Sequence, residues 1–375
     1  MLNRTIGAAS ALCAPPAWAQ PVWRPLGAAE RTTLAAIANA FLKNYGMPGL
    51  SVAIARHGRL VYAEGFGIAD TSTGEKVTAG HLFRVASLSK PITSVGVFSL
   101  IEQGKLKLTD KVFGAGGILQ SEFEVPAQRI VKDITVGHLL THLAGGWSNK
   151  PNDPMDTHKD MNHHGLISWV LKNKPLKTAP GAEFAYSNFG YCVLGRIIEK
   201  ASQQNYADYI RKAVLSRCGI AAMRIAGNSR EQRAKGEVVY HHRSLDPYAI
   251  NITRNDSTGG WLGSASDLAI FAAHVSGFAY PPNILDSATI KIMTTPSAAN
   301  PRYAHGWSVL KGNWRHDGLL PGTTATLVRT QSGYCWAALT NSSNRNGNHG
   351  LDNMAWDMVR SIEHWSPGGP PHRQG

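Results

Sequence analysis

Ser87-Leu88-Ser89-Lys90 places a hydroxyl and an amine three residues apart at the head of the apolar stretch SLSKPITSVGVFSLIEQGKL. Apolar residues recur there at helical spacing, and Pro91 is tolerated only within a first turn, so a helix is expected to start at about Ser87. A serine at that start meets unpaired backbone N–H groups and the positive end of the helix dipole, and a lysine at i+3 lies on the same face. Desolvated there, the lysine loses basicity and can take the serine proton, which makes the hydroxyl a nucleophile. The plainer alternative for this stretch alone is a serine N-cap with the lysine on a solvated face. Spacing by itself does not decide, because Ser308 and Lys311 repeat the pattern. They lie in HGWSVLK, which alternates like a strand and throws residues three apart onto opposite faces.

Two further stretches bear on the choice. EFAYSNFGY holds Tyr186-Ser187-Asn188, the only YxN in the chain, and is expected in a strand-to-helix loop. WRHDGLLPGT holds His316-Asp317-Gly318, directly after strand-like sequence. SxxK, then YxN, then a basic residue before xG on a late strand, in that order, resembles the class C serine β-lactamases, the penicillin-binding D,D-peptidases and the related family VIII carboxylesterases. The resemblance extends over PGLSVAIARHGRLVYAEGFGIAD (48–70), ITVGHLLTHLAGG (134–146) and GGWLGSASDLAIFA (259–272), and so over nearly the whole chain.

The resemblance implies a sheet flanked by helices, an all-helical lobe, and an active site in the groove between them. Carried over residue by residue, it makes Ser87 the nucleophile and Lys90 its proton partner. Tyr186 becomes the second member of the relay, with a lowered phenol pKa, and Asn188 orients Lys90 and the substrate carbonyl. The oxyanion hole would be the N–H groups of Ser87 and Leu319, the residue after Gly318. The cycle is acyl-enzyme formation followed by attack of water.

The departure is at His316, where many members have lysine. A permanent cation there helps hold a substrate carboxylate, whereas histidine near pH 7 is largely neutral and shorter. Asp317 adds a negative charge where a threonine is usual. Both changes disfavour anionic substrates, so a carboxylesterase acting on small esters or neutral amides is expected. A D,D-peptidase, D-aminopeptidase or β-lactamase is the alternative, and an inactive binder of peptidoglycan fragments a further one.

Other chemistry fares less well. His158, His163 and His164 with Asp156 and Asp160 lack any fixed metal-ligand spacing and read as a solvated loop. His142 reads as a structural histidine satisfying a loop carbonyl. No GxSxG elbow, Walker A loop or Rossmann glycine fingerprint occurs, and no metal or other cofactor is implied. The charge of +13 is scattered, without a basic run interleaved with aromatics, so a nucleic-acid partner is not expected. Trp147, Trp261 and Trp314 lie near the motifs and hint at an aromatic groove for an acyl group.

The elements that must position these residues follow from hydrophobic period. A helix is expected over 31–45, then a hairpin turning at His57-Gly58, then a mostly helical stretch over 82–285. Three strands follow in HGWSVLKGNW, TATLVRTQSG and CWAALTNSS, before a helix at LDNMAWDMVRSIEHW. The fold class is therefore α/β of the α+β sandwich type: an antiparallel sheet built from both chain ends, with an inserted helical lobe. Residues 20–365 form one two-lobed domain and 366–375 a disordered tail. Residues 1–19 read as a signal peptide cleaved after Ala19, which points to a periplasmic or secreted protein. Cys192, Cys218 and Cys335 read as buried free thiols. No apolar run is long enough to span a membrane.

Overall fold

Alternation along one strand explains the layering. In β1 (Gly49–Arg56), Leu50, Val52 and Ile54 are buried on one face of the sheet and Ala53 and Ala55 on the other. The computed structural model describes residues 26–125, 130–344, 347–363 and 365, so the expected leader and tail lie outside the described residues. The first helix, α1 (Ala28–Tyr45), packs Leu34, Ala38 and Phe41 onto the larger side chains. β1 turns through His57 and Gly58, both at positive φ, into β2 (Arg59–Asp70), followed by β3 (Glu75–Lys76).

The helical lobe then intervenes. A short strand β4 (Phe83–Arg84) leads into a 3-10 turn at Ala86–Leu88 and then α2 (Ser89–Glu102). The lobe continues with α3 (Val136–Leu140), α4 (His163–Asn173), α5 (Asn188–Ser202) and α6 (Tyr206–Ile210). Every residue of α2 from Ser89 to Leu100 is buried, the signature of a helix enclosed on all sides. Short strands β5 (Arg224–Ile225), β6 (His241–His242) and β7 (Trp261–Gly263) precede α7 (Ala265–His274) and α8 (Ser287–Met293).

The chain closes the sheet with β8 (Ser308–Leu310), β9 (Asn313–Leu320), β10 (Thr323–Arg329) and β11 (Tyr334–Thr340). After β12 (Ser342–Ser343) comes α9 (Gly347–Ser361). The seven-stranded antiparallel sheet has the order β3-β2-β1-β11-β10-β9-β8, so the two chain ends meet where β1 pairs with β11. Met354 and Met358 of α9 join α1 on one face. On the other face, Ala53, Ala55, Cys335 and Ala337 meet Ala269 and Ala272 of α7, small against small. Cys192, Cys218 and Cys335 are free and buried.

Four local expectations are corrected. No strand immediately precedes Tyr186, so its loop is not a strand-to-helix one, whereas the histidine motif does stand on the late strand β9. Lys311 is not in a strand: it sits in the turn after β8 at a φ of 48°. His163 and His164 open α4 rather than occupy a solvated loop. Trp147, Trp261 and Trp314 are core residues: Trp147 packs edge-on against Phe189 and borders a surface cavity beside Pro151 and Leu176, and Trp261 donates to the Tyr206 hydroxyl.

Candidate active site

Ser87 sits in the 3-10 turn immediately before α2, so Lys90 falls in the first turn of that helix. Ala86 takes a left-handed φ of 50° and the Ser89 hydroxyl donates to its carbonyl at 2.8 Å, which fixes the turn. Against this turn lies β9. A β-carbon built on Gly318 would come within 2.6 Å of the Val85 carbonyl oxygen, so only glycine allows the approach.

Lys90 is fully buried. Its amine has three neighbours: Ser87 Oγ at 3.0 Å, Asn188 Oδ1 at 2.7 Å and the Thr258 carbonyl at 3.0 Å. The last two accept only, so they take two N–H bonds whatever the charge. The third direction, toward Ser87, then holds a proton when the amine is charged and a lone pair when it is neutral. Burial pushes the amine down to about 7, partly opposed by the negative charge of Asp153. The solvated lysine allowed by the sequence is excluded by this burial.

Asn188 is the first residue of α5, behind the Ser187 N-cap, whose hydroxyl accepts from Gly190 N–H. Its Nδ2 donates to Asp153 Oδ2 at 2.6 Å, and its backbone N–H donates to Asn149 Oδ1 at 2.7 Å. Tyr186 is half-buried with its ring centroid 4.9 Å from the Lys90 amine, and its phenol meets the Ser87 side chain. The expected lowering of that phenol does not occur. Burial raises it, and the charges of Asp153 and Asp317 add to the effect, so Tyr186 stays protonated.

His316 is buried and both ring nitrogens are engaged: Nδ1 with the Asp317 carbonyl at 2.8 Å, Nε2 with the Tyr303 hydroxyl at 3.2 Å. The carbonyl requires a proton on Nδ1, which leaves Nε2 to accept from Tyr303 in the neutral ring. His142 continues the chain. Its Nδ1 accepts the Ser187 N–H at 3.1 Å, so Nε2 carries the proton it gives to Tyr303 at 3.2 Å. His142 thus serves an N–H and a hydroxyl rather than the expected loop carbonyl. Burial first, and then Lys90, hold His316 down to about 3, so the ring is neutral.

Asp317 points the opposite way from His316. Arg315 binds both its carboxylate oxygens, at 2.8 and 2.6 Å, and Thr326 donates to one. Its charge is therefore paired on the other face of β9. The Leu319 side chain is exposed at the end of that strand. So Ser87, Lys90, Tyr186 and Asn188 converge on one point, and Gly318 packs beside it. The nitrogens of His316 serve the protein's own framework.

Sequence reasoning missed Asp153, Tyr303 and the Thr258 carbonyl. Asp153 lies in NDPMD, which carries only a turn signal, and its tie to Asn188 spans 35 residues. Among the described residues no group of three or more His, Cys, Asp or Glu side chains could hold a metal ion. No helix among them is long and apolar enough to cross a membrane.

The beta-lactamase family profile matches residues 34–360. Penicillin-binding protein 4* of Bacillus subtilis (strain 168) is 32% identical over 182 residues, which is 47% of this chain and 37% of that protein. Protein flp of Staphylococcus aureus (strain N315) is 28% identical over 169 residues, 45% of this chain and 33% of that one. The match thus spans little more than a third of these relatives' own length. Of solved structures, D-amino acid amidase from Ochrobactrum anthropi SV3 superposes with a TM-score of 0.73 at 19% identity, over 89% of this chain and 100% of that one.

Proposed function

The chain belongs to the beta-lactamase family of serine hydrolases, and within it we propose an acyl-transferring carboxylesterase that uses Ser87 on small esters or neutral amides. One observation carries the reading: Lys90 is buried, two of its bonding directions are taken by obligate acceptors, and the third meets Ser87 Oγ at 3.0 Å. A lysine held down to about 7 is substantially neutral at pH 7 to 8, and its lone pair then faces the serine proton.

In this mechanism Ser87 Oγ attacks the substrate carbonyl while its proton passes to Lys90 Nζ. The N–H groups of Ser87 and Leu319 receive the oxyanion, a contribution of about 3 kcal/mol per donor in comparable sites. Tyr186, protonated, gives its proton to the leaving alkoxide or amine and regains one from Lys90. Water then attacks the acyl-enzyme with Lys90 as base, and Ser87 is reprotonated.

Preference for neutral substrates rests on His316. A neutral ring with both nitrogens engaged supplies no cation for a carboxylate, which weighs against β-lactams and peptide C-termini. The test is hydrolysis of p-nitrophenyl butyrate by the wild type and by Ser87→Ala, with intact-mass detection of the acyl-enzyme. Turnover lost in the variant is the expected result. Turnover retained by it would overturn the assignment of Ser87. An adduct on Ser87 that never releases would favour the idle peptidoglycan-fragment binder instead.

A further inference from the structure

A buried amine that must lose its proton to work also needs something that keeps it from losing its place. Lys90 has Ser87, the Asn188 amide and the Thr258 carbonyl as bonding partners. The rings of Tyr186 and Tyr191 lie 4.9 and 5.7 Å from its Nζ. The titratable groups around it are those two phenols, both protonated, and the neutral histidines His142 and His316. The carboxylate whose charge reaches it is Asp153.

Asp153 has no Lys, Arg or His within ion-pair distance among the described residues, although it is 7% exposed. One oxygen accepts the Met155 N–H at 2.9 Å, which caps the 3-10 turn Pro154–Asp156. The other accepts Asn188 Nδ2 at 2.6 Å. Burial pushes this carboxyl up, and both contacts oppose that by favouring the ionised form. An ionised carboxylate only accepts, and this settles an otherwise ambiguous amide: Asn188 must turn Nδ2 toward Asp153 and Oδ1 toward Lys90.

We infer that Asp153 is a positioning residue, fixing the Asn188 amide so that its oxygen faces Lys90 and supplying the negative charge that steadies the buried ammonium. The inference rests on the reading of Ser87 and Lys90 as the reacting pair. Loss of that charge, or a flip of Asn188 that removes an acceptor from Lys90, makes the ammonium harder to hold. Both act in the same direction, toward a more acidic Lys90.

Donor matching gives a sharp test. In Asp153→Asn, the new amide can cap Met155 with its oxygen, but its NH2 then confronts Asn188 Nδ2. In Asn188→Asp, two carboxylates face each other. In the double variant D153N/N188D every pairing is restored with reversed polarity. The carboxylate introduced at position 188 accepts from Lys90 and from the NH2 of the amide introduced at position 153, and the oxygen of that amide still caps Met155.

The experiment measures kcat/KM against pH with p-nitrophenyl butyrate for wild type, D153N, N188D, the double variant and Ser87→Ala, with thermal melts of each. In D153N the plateau is expected to fall about tenfold to a hundredfold, with the acid limb displaced downward by about one pH unit. N188D should be worse. The double variant should recover most of the plateau, with its limb above the wild-type position because the carboxylate now touches the amine. A D153N protein with unchanged plateau and limb overturns the inference, as does a double variant no better than D153N. If D153N does not fold while the double variant folds and turns over, donor matching is upheld. If neither folds, Asp153 is structural and the inference fails. Ser87→Ala reports separately: activity there sinks the proposed function, whereas an inactive Ser87→Ala beside a wild-type-like D153N sinks only the role of Asp153.

Discussion

Gly318 and Val85 stand so close that a β-carbon on the glycine would lie 2.6 Å from the valine carbonyl oxygen, with the Ala86 β-carbon at 3.0 Å. This contact seats the late strand β9 on the turn that carries Ser87. The turn is held under strain by the left-handed φ of Ala86, a cost of about 1 kcal/mol for a residue with a side chain. Gly318→Ala must push strand and turn apart, separating the N–H groups of Ser87 and Leu319. We expect kcat for p-nitrophenyl butyrate to fall about a hundredfold, with a lower melting temperature. A variant with wild-type kcat would show that the spacing of β9 from the serine turn is not critical.

The state of Lys90 sets the pH dependence. Burial disfavours its ammonium, so the active neutral form grows as pH rises, and kcat/KM should climb along an acid limb near pH 7. The same displacement appears in stability. Between about 7 and 10.5 the unfolded lysine keeps a proton that the folded one has lost, so this group makes stability rise with pH across that window. Lys90→Arg keeps the charge but cannot deprotonate, and should be inactive at every pH up to 9. An active arginine variant, or a limb near pH 5, would remove Lys90 from the role of base.

Tyr303 joins two buried histidines whose protons are fully assigned by their partners, running from His142 through its hydroxyl to His316. Tyr303→Phe leaves a donor on His142 and an acceptor on His316 unmatched. A loss of about 2 kcal/mol in urea unfolding is expected, from about 1–3 kcal/mol per stranded group. Nitrogen NMR of the His316 ring should show Nδ1 keeping the proton that the Asp317 carbonyl requires, while the unprotonated Nε2 signal shifts once the hydroxyl no longer donates to it. An unfolding midpoint equal to the wild type's would mean that the hydroxyl bridges nothing.

Most of what the sequence made legible was local. Helical spacing and Pro91 placed the start of α2 within two residues, and His57-Gly58 marked the first hairpin because both take the positive φ its turn requires. The union of the chain ends in one sheet was also readable, since both ends alternate. Two things were not. The phenol of Tyr186 was expected to fall because Lys90 is near, but its burial outweighs a lysine that is itself largely discharged. Asp153 was invisible because its meaning depends on an amide 35 residues away, brought near by the packing of α5 against the 154–156 turn. Hydrophobic period reports which face of an element is buried, and it carries nothing about which polar atoms meet there.

Arg254 tests whether the loop bearing Asp153 is held from behind. Its guanidinium donates to the carbonyls of Met155, Thr157, His158 and Met161, four acceptors on one loop gathered by one buried side chain. A guanidinium spans them because its donors are spread in a planar fork, whereas a lysine ammonium is a compact point with three. Arg254→Met strands all four carbonyls and should cost about 3 kcal/mol, less than the full sum because the loop can relax toward water. It should also free Asp153 to drift from Asn188, so the acid limb should move downward as in D153N. Arg254→Lys should recover part of the stability and less of the activity, because it can tether the loop without setting its register. If Arg254→Met loses stability yet keeps the wild-type pH profile, the loop is braced by Arg254 but Asp153 is held in place by Met155 and Asn188 alone.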